Sequence, residues 1–111
     1  MQKSPDEIFK KFIETRKVLI ADTSSTQRSS LGLILSKLGA RGTLMKVASS
    51  YEDAVKEMGA HQPNIVIVDY DLGSSCGLDL LQSHRKNNPD SQKSVFIMVT
   101  GNNSQTAVAR A

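Results

Sequence analysis

The sequence predicts an α/β domain built on a parallel sheet covered on both faces. Three observations carry that reading. Short apolar runs rich in β-branched residues occur at Val18–Ala21 and at residues 44–48, 65–68 and 94–100. Segments with helical apolar spacing separate them. The runs at 18–21, 65–68 and 95–99 are continuously apolar rather than alternating, as strands buried on both faces are, and alternation of such strands with helices gives a parallel sheet with right-handed crossovers.

The first segment, SPDEIFKKFIETRK, reads as an amphipathic helix over residues 5–16. Ser4 is placed to cap it, Pro5 suits its first position, and Glu7 stands three after Ser4, as a capping box requires. Ile8, Phe9, Phe12 and Ile13 share one face, which holds two of the chain's three phenylalanines. That face needs a partner: its own domain, the expected case, or another chain. Val18–Ala21 then forms a strand ending at Asp22, and TSSTQR is a hydroxyl-rich turn suited to capping the next helix. Leu31, Ile34, Leu35 and Leu38 mark that helix's inner face, and Gly39 its stop. Residues 44–48 make a second strand. Residues 51–58 make a helix with Ala54, Val55 and Met58 apolar. In NIVIVDYDLGSSCGLDLL the strand ends at Asp69, Gly73 to Ser75 form a loop, and Gly77 opens a helix with Leu78, Leu80 and Leu81 inward. Asn87, Asn88 and Pro89 end it. SVFIMVT is a fourth strand ending at Thr100, and residues 104–111 are expected to begin another helix.

At 111 residues the chain is one domain's worth. Its 39% hydrophobic and 23% charged residues are a globular composition rather than a disordered one. A formal charge of +3, from 14 bases against 11 acids without a basic block, points away from direct nucleic-acid binding. The aromatic content of 5%, without tryptophan, argues against stacking platforms for bases. No run approaches the length of a membrane span, and the charged N-terminus has no signal-peptide core. One cysteine precludes an intrachain disulfide and fits a reducing, cytoplasmic setting.

In open parallel sheets, ligands bind beyond the carboxyl ends of the strands. Asp22, Asp69 and Thr100 follow or end three of the predicted strands, and Asp71 lies two beyond Asp69. A lone Asp after a strand is ordinarily a turn former. Three carboxylates brought together repel and raise one another's pKa, which a divalent cation relieves. Hard oxygen donors suit Mg²⁺.

At these residues the sequence resembles a response-regulator receiver domain of two-component signalling, from Lys17 to about Ala111. The likeness rests on VLIAD followed by SSTQR, on IVIVDYDL then GSSCGLDLL, and on FIMVTG, in that order. It implies a flavodoxin-like doubly wound sheet and divides the chain into an extra helix at 1–16 and a receiver-like domain at 17–111. Asp69 matches the phospho-accepting aspartate, and Asp22 the first member of the acidic pair that holds Mg²⁺. Asp71 matches the position whose backbone carbonyl ligates the metal, and Thr100 the hydroxyl that meets the phosphoryl group. Gly77 matches the glycine that opens the third helix of the family. The implied partners are a sensor histidine kinase or a phosphotransfer protein, with no membrane and no catalysis beyond self-phosphorylation and self-dephosphorylation at Asp69. A carboxylate at a strand end is a positioned nucleophile, Mg²⁺ neutralises charge around the phosphoryl oxygens, and the phosphoryl group brings charge that a movable hydroxyl can answer.

The sequence departs from the family pattern in three places. Thr23 replaces the second acid, so Mg²⁺ should bind weakly unless the Asp71 side chain compensates. Gly73 stands where many members have proline, which predicts a looser loop. The family's fifth strand, its aromatic switch residue, its last helix and the lysine preceding that helix have no counterpart after Thr100. The expected domain is therefore truncated: four strands, an exposed fourth-strand edge at Val95, Phe96, Ile97 and Val99, and a partly bare sheet face. That exposure predicts a homodimer or higher assembly through the edge or the N-terminal helix.

His84 and His61 read as surface residues, Cys76 as a small loop residue, and Tyr70 as a neighbour able to limit access to Asp69. Three alternatives compete. Asp69-Tyr70-Asp71 is similar to the D-x-D motif of haloacid-dehalogenase phosphatases, but that motif belongs on a first strand and expects Thr or Val at Gly73. The hydroxyls of residues 23–26 suit a flavin phosphate at a helix N-terminus, but Tyr70 is the only aromatic near a ring site. The third, favoured by Thr23 and the absent lysine, is a phosphorylation-independent pseudo-receiver acting as a dimerisation or interaction module.

Overall fold

The computed structural model describes residues 4–87, 94–99 and 106–110, with Asp6, Asn87 and 106–110 described by backbone alone. In chain order the elements are α1 (Pro5–Ile13), β1 (Val18–Ala21), α2 (Ser25–Lys37), a 3₁₀ turn (Gly42–Leu44), β2 (Met45–Ala48), α3 (Tyr51–His61), β3 (Ile65–Asp69), α4 (Gly77–Asn87), β4 (Val95–Val99) and β5 (Thr106–Arg110). One sheet runs β2-β1-β3-β4-β5. The first four strands are parallel, and β5 pairs antiparallel to β4. This is a doubly wound order, with the switch point in strand order between β1 and β3.

Local signals set the helix ends. Ser4, Ser24 and Ser50 cap α1, α2 and α3, their hydroxyls accepting from the N–H groups of Glu7, Gln27 and Asp53. α2 ends in a Schellman motif: Gly39 at φ +115° donates to the Ser36 carbonyl, and Ala40 to that of Leu35. α3 runs to His61 rather than stopping near Met58, and ends where Gln62 takes φ +52°. At the amino end of the sheet Asn64 ties three segments. Its carboxamide oxygen accepts from the Lys17 N–H at 2.9 Å, its own N–H donates to the Lys17 carbonyl, and its carbonyl accepts from Val95.

The core divides by strand alternation. Leu19, Ala21, Val66, Val68, Phe96 and Met98 point to one face, where Ala54 and Met58 of α3 and Leu80 and Leu81 of α4 cover them. Val18, Ile20, Ile65 and Ile67 point to the other, where Leu35 of α2 and Ile13 of α1 pack. Val95, Ile97 and Val99 stay half-buried on this second face.

Several expectations change. Residues 106–110 form a strand, not a helix: the unpaired backbone of β4 offers a ladder, and Thr106 and Val108 are β-branched strand formers. β4 is therefore not an open edge. Val55, Leu78, Ile34 and Leu38 lie at the margins of their helices and are exposed. Ile13 is the buried apolar residue of α1, with Lys10 against Gly39, while Ile8, Phe9 and Phe12 are exposed. Neither histidine is a free surface group. His61 Nε2 lies 3.0 Å from the Leu44 carbonyl, and the half-buried His84 ring packs on Phe96 with centroids 5.7 Å apart. Burial, with Arg85 adding, holds His84 below its ordinary pKa.

Candidate functional site at the carboxyl end of the sheet

The register decides the site. Ala21 of β1 pairs with Val68 of β3, so Asp22 and Asp69 lie side by side at the carboxyl ends of adjacent central strands. Asp69 in turn pairs with Val99 of β4. Thr100, the next residue, lies outside the described residues.

Asp22 is buried, 3% exposed, and held at three points. Its N–H donates to the Ala48 carbonyl, its carboxylate accepts from the Ser24 N–H at 2.9 Å, and its carbonyl accepts from Arg28 Nη1 at 2.7 Å. The last contact was missed in the sequence. Its only signal was an arginine one helical turn into the segment after Asp22. Ser24 therefore serves twice, capping α2 with its hydroxyl and fixing the Asp22 carboxylate with its N–H. Thr23 is exposed.

Asp69 is half-buried and accepts from the Asp71 N–H at 3.3 Å. Burial pushes its carboxyl above the ordinary carboxylate range; the Asp71 N–H works against this, while the charges of Asp22 and Asp71 add to it. An acid raised in the folded state holds its proton better folded than unfolded, so stability falls as pH climbs through its titration, and the loss stands in full at neutral pH. Asp69→Asn removes that cost. It is expected to melt above the parent at about pH 7, and the difference should close at about pH 3, below the ordinary carboxylate range. Thermal melts read by circular dichroism check this; a variant that melts lower at neutral pH contradicts it.

Asp71 is exposed, and its carboxylate accepts from the Gly73 N–H at 2.9 Å. The loop is not slack. Gly73 sits at φ +86°, which proline's ring forbids, so glycine here supports a defined Asx-type turn. Buried Leu72 donates to the Ser75 carbonyl and accepts from the Tyr51 N–H, and Asp71 bridges to Cys76. Ser74 bonds Glu52 and Ser75 bonds Asp79. Tyr70 is exposed beside Asp69, its N–H donating to Val99. Cys76 is half-exposed in this loop.

With Thr23 in the second acid's place and the Asp71 carboxylate turned to Gly73, two carboxylates, half-buried Asp69 and buried Asp22, stand together at the carboxyl ends of β3 and β1. Among the described residues, no three His, Cys, Asp or Glu side chains are grouped to hold a metal. Oxygen donors alone, with net negative charge, fit a hard divalent cation that keeps several waters and borrows backbone carbonyls. They do not fit zinc.

Comparison with known proteins agrees with this architecture. Residues 18–111 match the family model described as the response regulator receiver domain. A probable chemotaxis protein CheY from Rhizobium etli is 33% identical over 98 residues, covering 88% of this chain and 74% of its own. A CheY-like receiver domain protein from Methanospirillum hungatei superposes with a TM-score of 0.66 at 24% identity, covering 78% of this chain and 64% of that one. The Borrelia burgdorferi CheX–CheY–BeF₃–Mg²⁺ complex gives 0.67 at 23% identity, with 77% and 61% covered. The chain thus spans slightly less than two thirds of these solved chains. It belongs to the response regulator receiver domain family, the signalling module of two-component systems. Among the described residues, no helix is long and apolar enough to cross a membrane.

Proposed function

We propose that Asp69 accepts a phosphoryl group from a sensor histidine kinase or a phosphotransfer protein. The observation that carries this is the pairing of Asp22 and Asp69 at the carboxyl ends of β1 and β3, with Asp69 at the mouth and Asp22 locked behind it. An Asp69 carboxylate oxygen attacks phosphorus; the O–P bond forms as the P–N bond of a phosphohistidine donor breaks. The electron pair returns to the imidazole nitrogen, which takes up a proton. Water later hydrolyses the acyl phosphate, so the chain is the substrate of the transfer rather than a turnover enzyme. Bound Mg²⁺ supplies charge neutralisation around the phosphoryl oxygens. Asp22 and Asp69 would hold it through their side chains, with the backbone carbonyl of Asp71 as the likeness implies. A relative solved with BeF₃ and Mg²⁺ supports the same chemistry. Thr100 is the proposed hydroxyl contact. A single cysteine fits a cytoplasmic setting.

A second reading has one specific observation behind it. Thr23 removes an acid from the metal-binding side, which favours a pseudo-receiver that binds partners without being phosphorylated. Acetyl phosphate with Mg²⁺, followed by intact mass, separates the two. The phospho-accepting reading expects one added phosphoryl group, absent in Asp69→Asn; no addition to the parent chain overturns it in favour of the pseudo-receiver.

A further inference from the structure

We propose that Arg28 is a positioning residue that acts through Asp22, fixing its carboxylate for a divalent cation while leaving the carboxylate's charge uncompensated. The inference rests on the reading that Asp22 and Asp69 hold Mg²⁺ ahead of phosphoryl transfer. Asp22 stands one residue beyond β1, and its carbonyl accepts from Arg28 Nη1 at 2.7 Å. The Arg28 N–H donates to the Ser24 carbonyl at 3.0 Å, and the Ser24 N–H donates to the Asp22 carboxylate at 2.9 Å. Arg28 therefore grips the turn 22–24 at both ends. Its side chain fixes the peptide that leaves Asp22, and its backbone fixes the residue that orients the carboxylate.

Helix stability does not account for this placement. Arg28 is half-buried in the opening turns of α2, near the positive end of the helix dipole, and the first turn holds no acid. Among the described residues the one ion pair is that of Arg41 with Glu14, so no carboxylate there neutralises Arg28 at contact distance. A guanidinium ordinarily takes a carboxylate in a fork. Here it takes the Asp22 carbonyl instead. The buried Asp22 carboxylate keeps its full charge, with the Ser24 N–H as its one hydrogen-bond donor among the described residues. A buried carboxylate so thinly paired is costly, and a hard divalent cation supplies what is missing. Exposed Thr23 brings no charge, so Asp22 is the one acid at the end of β1 and the fixing of that side chain counts for more.

Two effects of Arg28 oppose each other. Its charge alone repels a cation, so its removal would tighten Mg²⁺ binding. Its hydrogen bond holds Asp22, so the loss of that bond loosens binding. A half-buried, charge-assisted bond outweighs the repulsion of a charge that solvent and salt screen.

Mg²⁺ titration of the full chain without a phosphoryl donor, read from the amide shifts of Asp69 and Tyr70, tests this together with hydrogen exchange at the Ser24 amide. Arg28→Met keeps an apolar stem and removes both charge and donor. At a temperature where it is folded, it should weaken the Mg²⁺ constant about threefold to tenfold and speed Ser24 exchange by a similar factor. The contact is a single bond rather than a fork, so Arg28→Lys should stay within about twofold of the parent in both. Arg28→Gln, shorter and uncharged, is read in the same way should Arg28→Met not fold. A role confined to folding leaves both readings unchanged, and a role through charge alone tightens Mg²⁺ binding in Arg28→Met; either result overturns the proposal. So does a lysine variant no better than the methionine one, or a parent without Mg²⁺ response up to about 50 mM. Acetyl phosphate keeps the two claims apart. A parent that binds Mg²⁺ yet gains no phosphoryl group contradicts the phospho-accepting reading alone, and an Arg28→Met chain with the parent's Mg²⁺ constant contradicts this inference alone.

Discussion

Replacing Phe96 with alanine is expected to cost about 3–5 kcal/mol, the range for emptying a buried aromatic site. Phe96 is 0% exposed on β4, opposite Val66, inside the cluster that joins the sheet to α3 and α4. The His84 ring leans on it from α4 at 5.7 Å, and a half-buried imidazole is poorly suited to collapse into an apolar void. Because a domain of this size melts lower by roughly 4–8 °C per kcal/mol, the variant should lose more than about 12 °C. Urea unfolding should show a lower midpoint at unchanged slope. Leu78→Ala, on the exposed flank of the same helix, is the control and should stay within about 0.5 kcal/mol. If the two variants melt alike, this account of the core is wrong.

Gly77→Val is expected to damage both stability and the site. A β-carbon at Gly77 would stand 2.7 Å from the carbonyl oxygen of Asp69 and 3.1 and 3.3 Å from the two methyls of Val68. The nearest of these is backbone, so relief requires α4 or the end of β3 to move. Overpacking of this kind costs about 1–3 kcal/mol. The more telling effect is on Asp69 itself. The Gly77 N–H donates to the Tyr70 carbonyl at 2.7 Å, so a shifted helix start drags the residue beside Asp69. A misplacement of about 1 Å costs on the order of a hundredfold in a positioned reaction. Phosphorylation of Asp69 by acetyl phosphate should slow by that order at a temperature where the variant is still folded. A folded Gly77→Val that is phosphorylated at the parent rate contradicts the close-approach explanation.

Gly77 also shows what the sequence could and could not tell. The family likeness marked it as the helix-opening glycine; the fold supplies the reason, which is proximity to a backbone oxygen eight residues back. The strands were legible because short runs such as IVIV are apolar throughout and β-branched, which suits strands buried on both faces. The helix ends were legible where a hydroxyl or a glycine stood at the cap, as at Ser4, Ser24 and Gly39. The pairing of Asp22 with Asp69 followed from strand ends meeting in a parallel sheet. What was not legible depended on tertiary contact. Nothing local in residues 106–110 announces an antiparallel partner; the vacant ladder of β4 decides it. The outward turn of Phe9 and Phe12 was equally hidden, because an amphipathic helix does not state which molecule it faces. Gly73 was misread as slack because its role appears only with its positive φ and the Asp71 carboxylate bonded to its N–H.

The central claim is that the strand ends make Asp69 the acceptor. The measurement that meets it most directly is borohydride reduction of the chain after acetyl phosphate and Mg²⁺, followed by peptide sequencing by mass spectrometry. An acyl phosphate reduces to an alcohol, so the account predicts homoserine at position 69 and aspartate retained at 22 and 71. Homoserine at either of those positions instead, or at none, would contradict it.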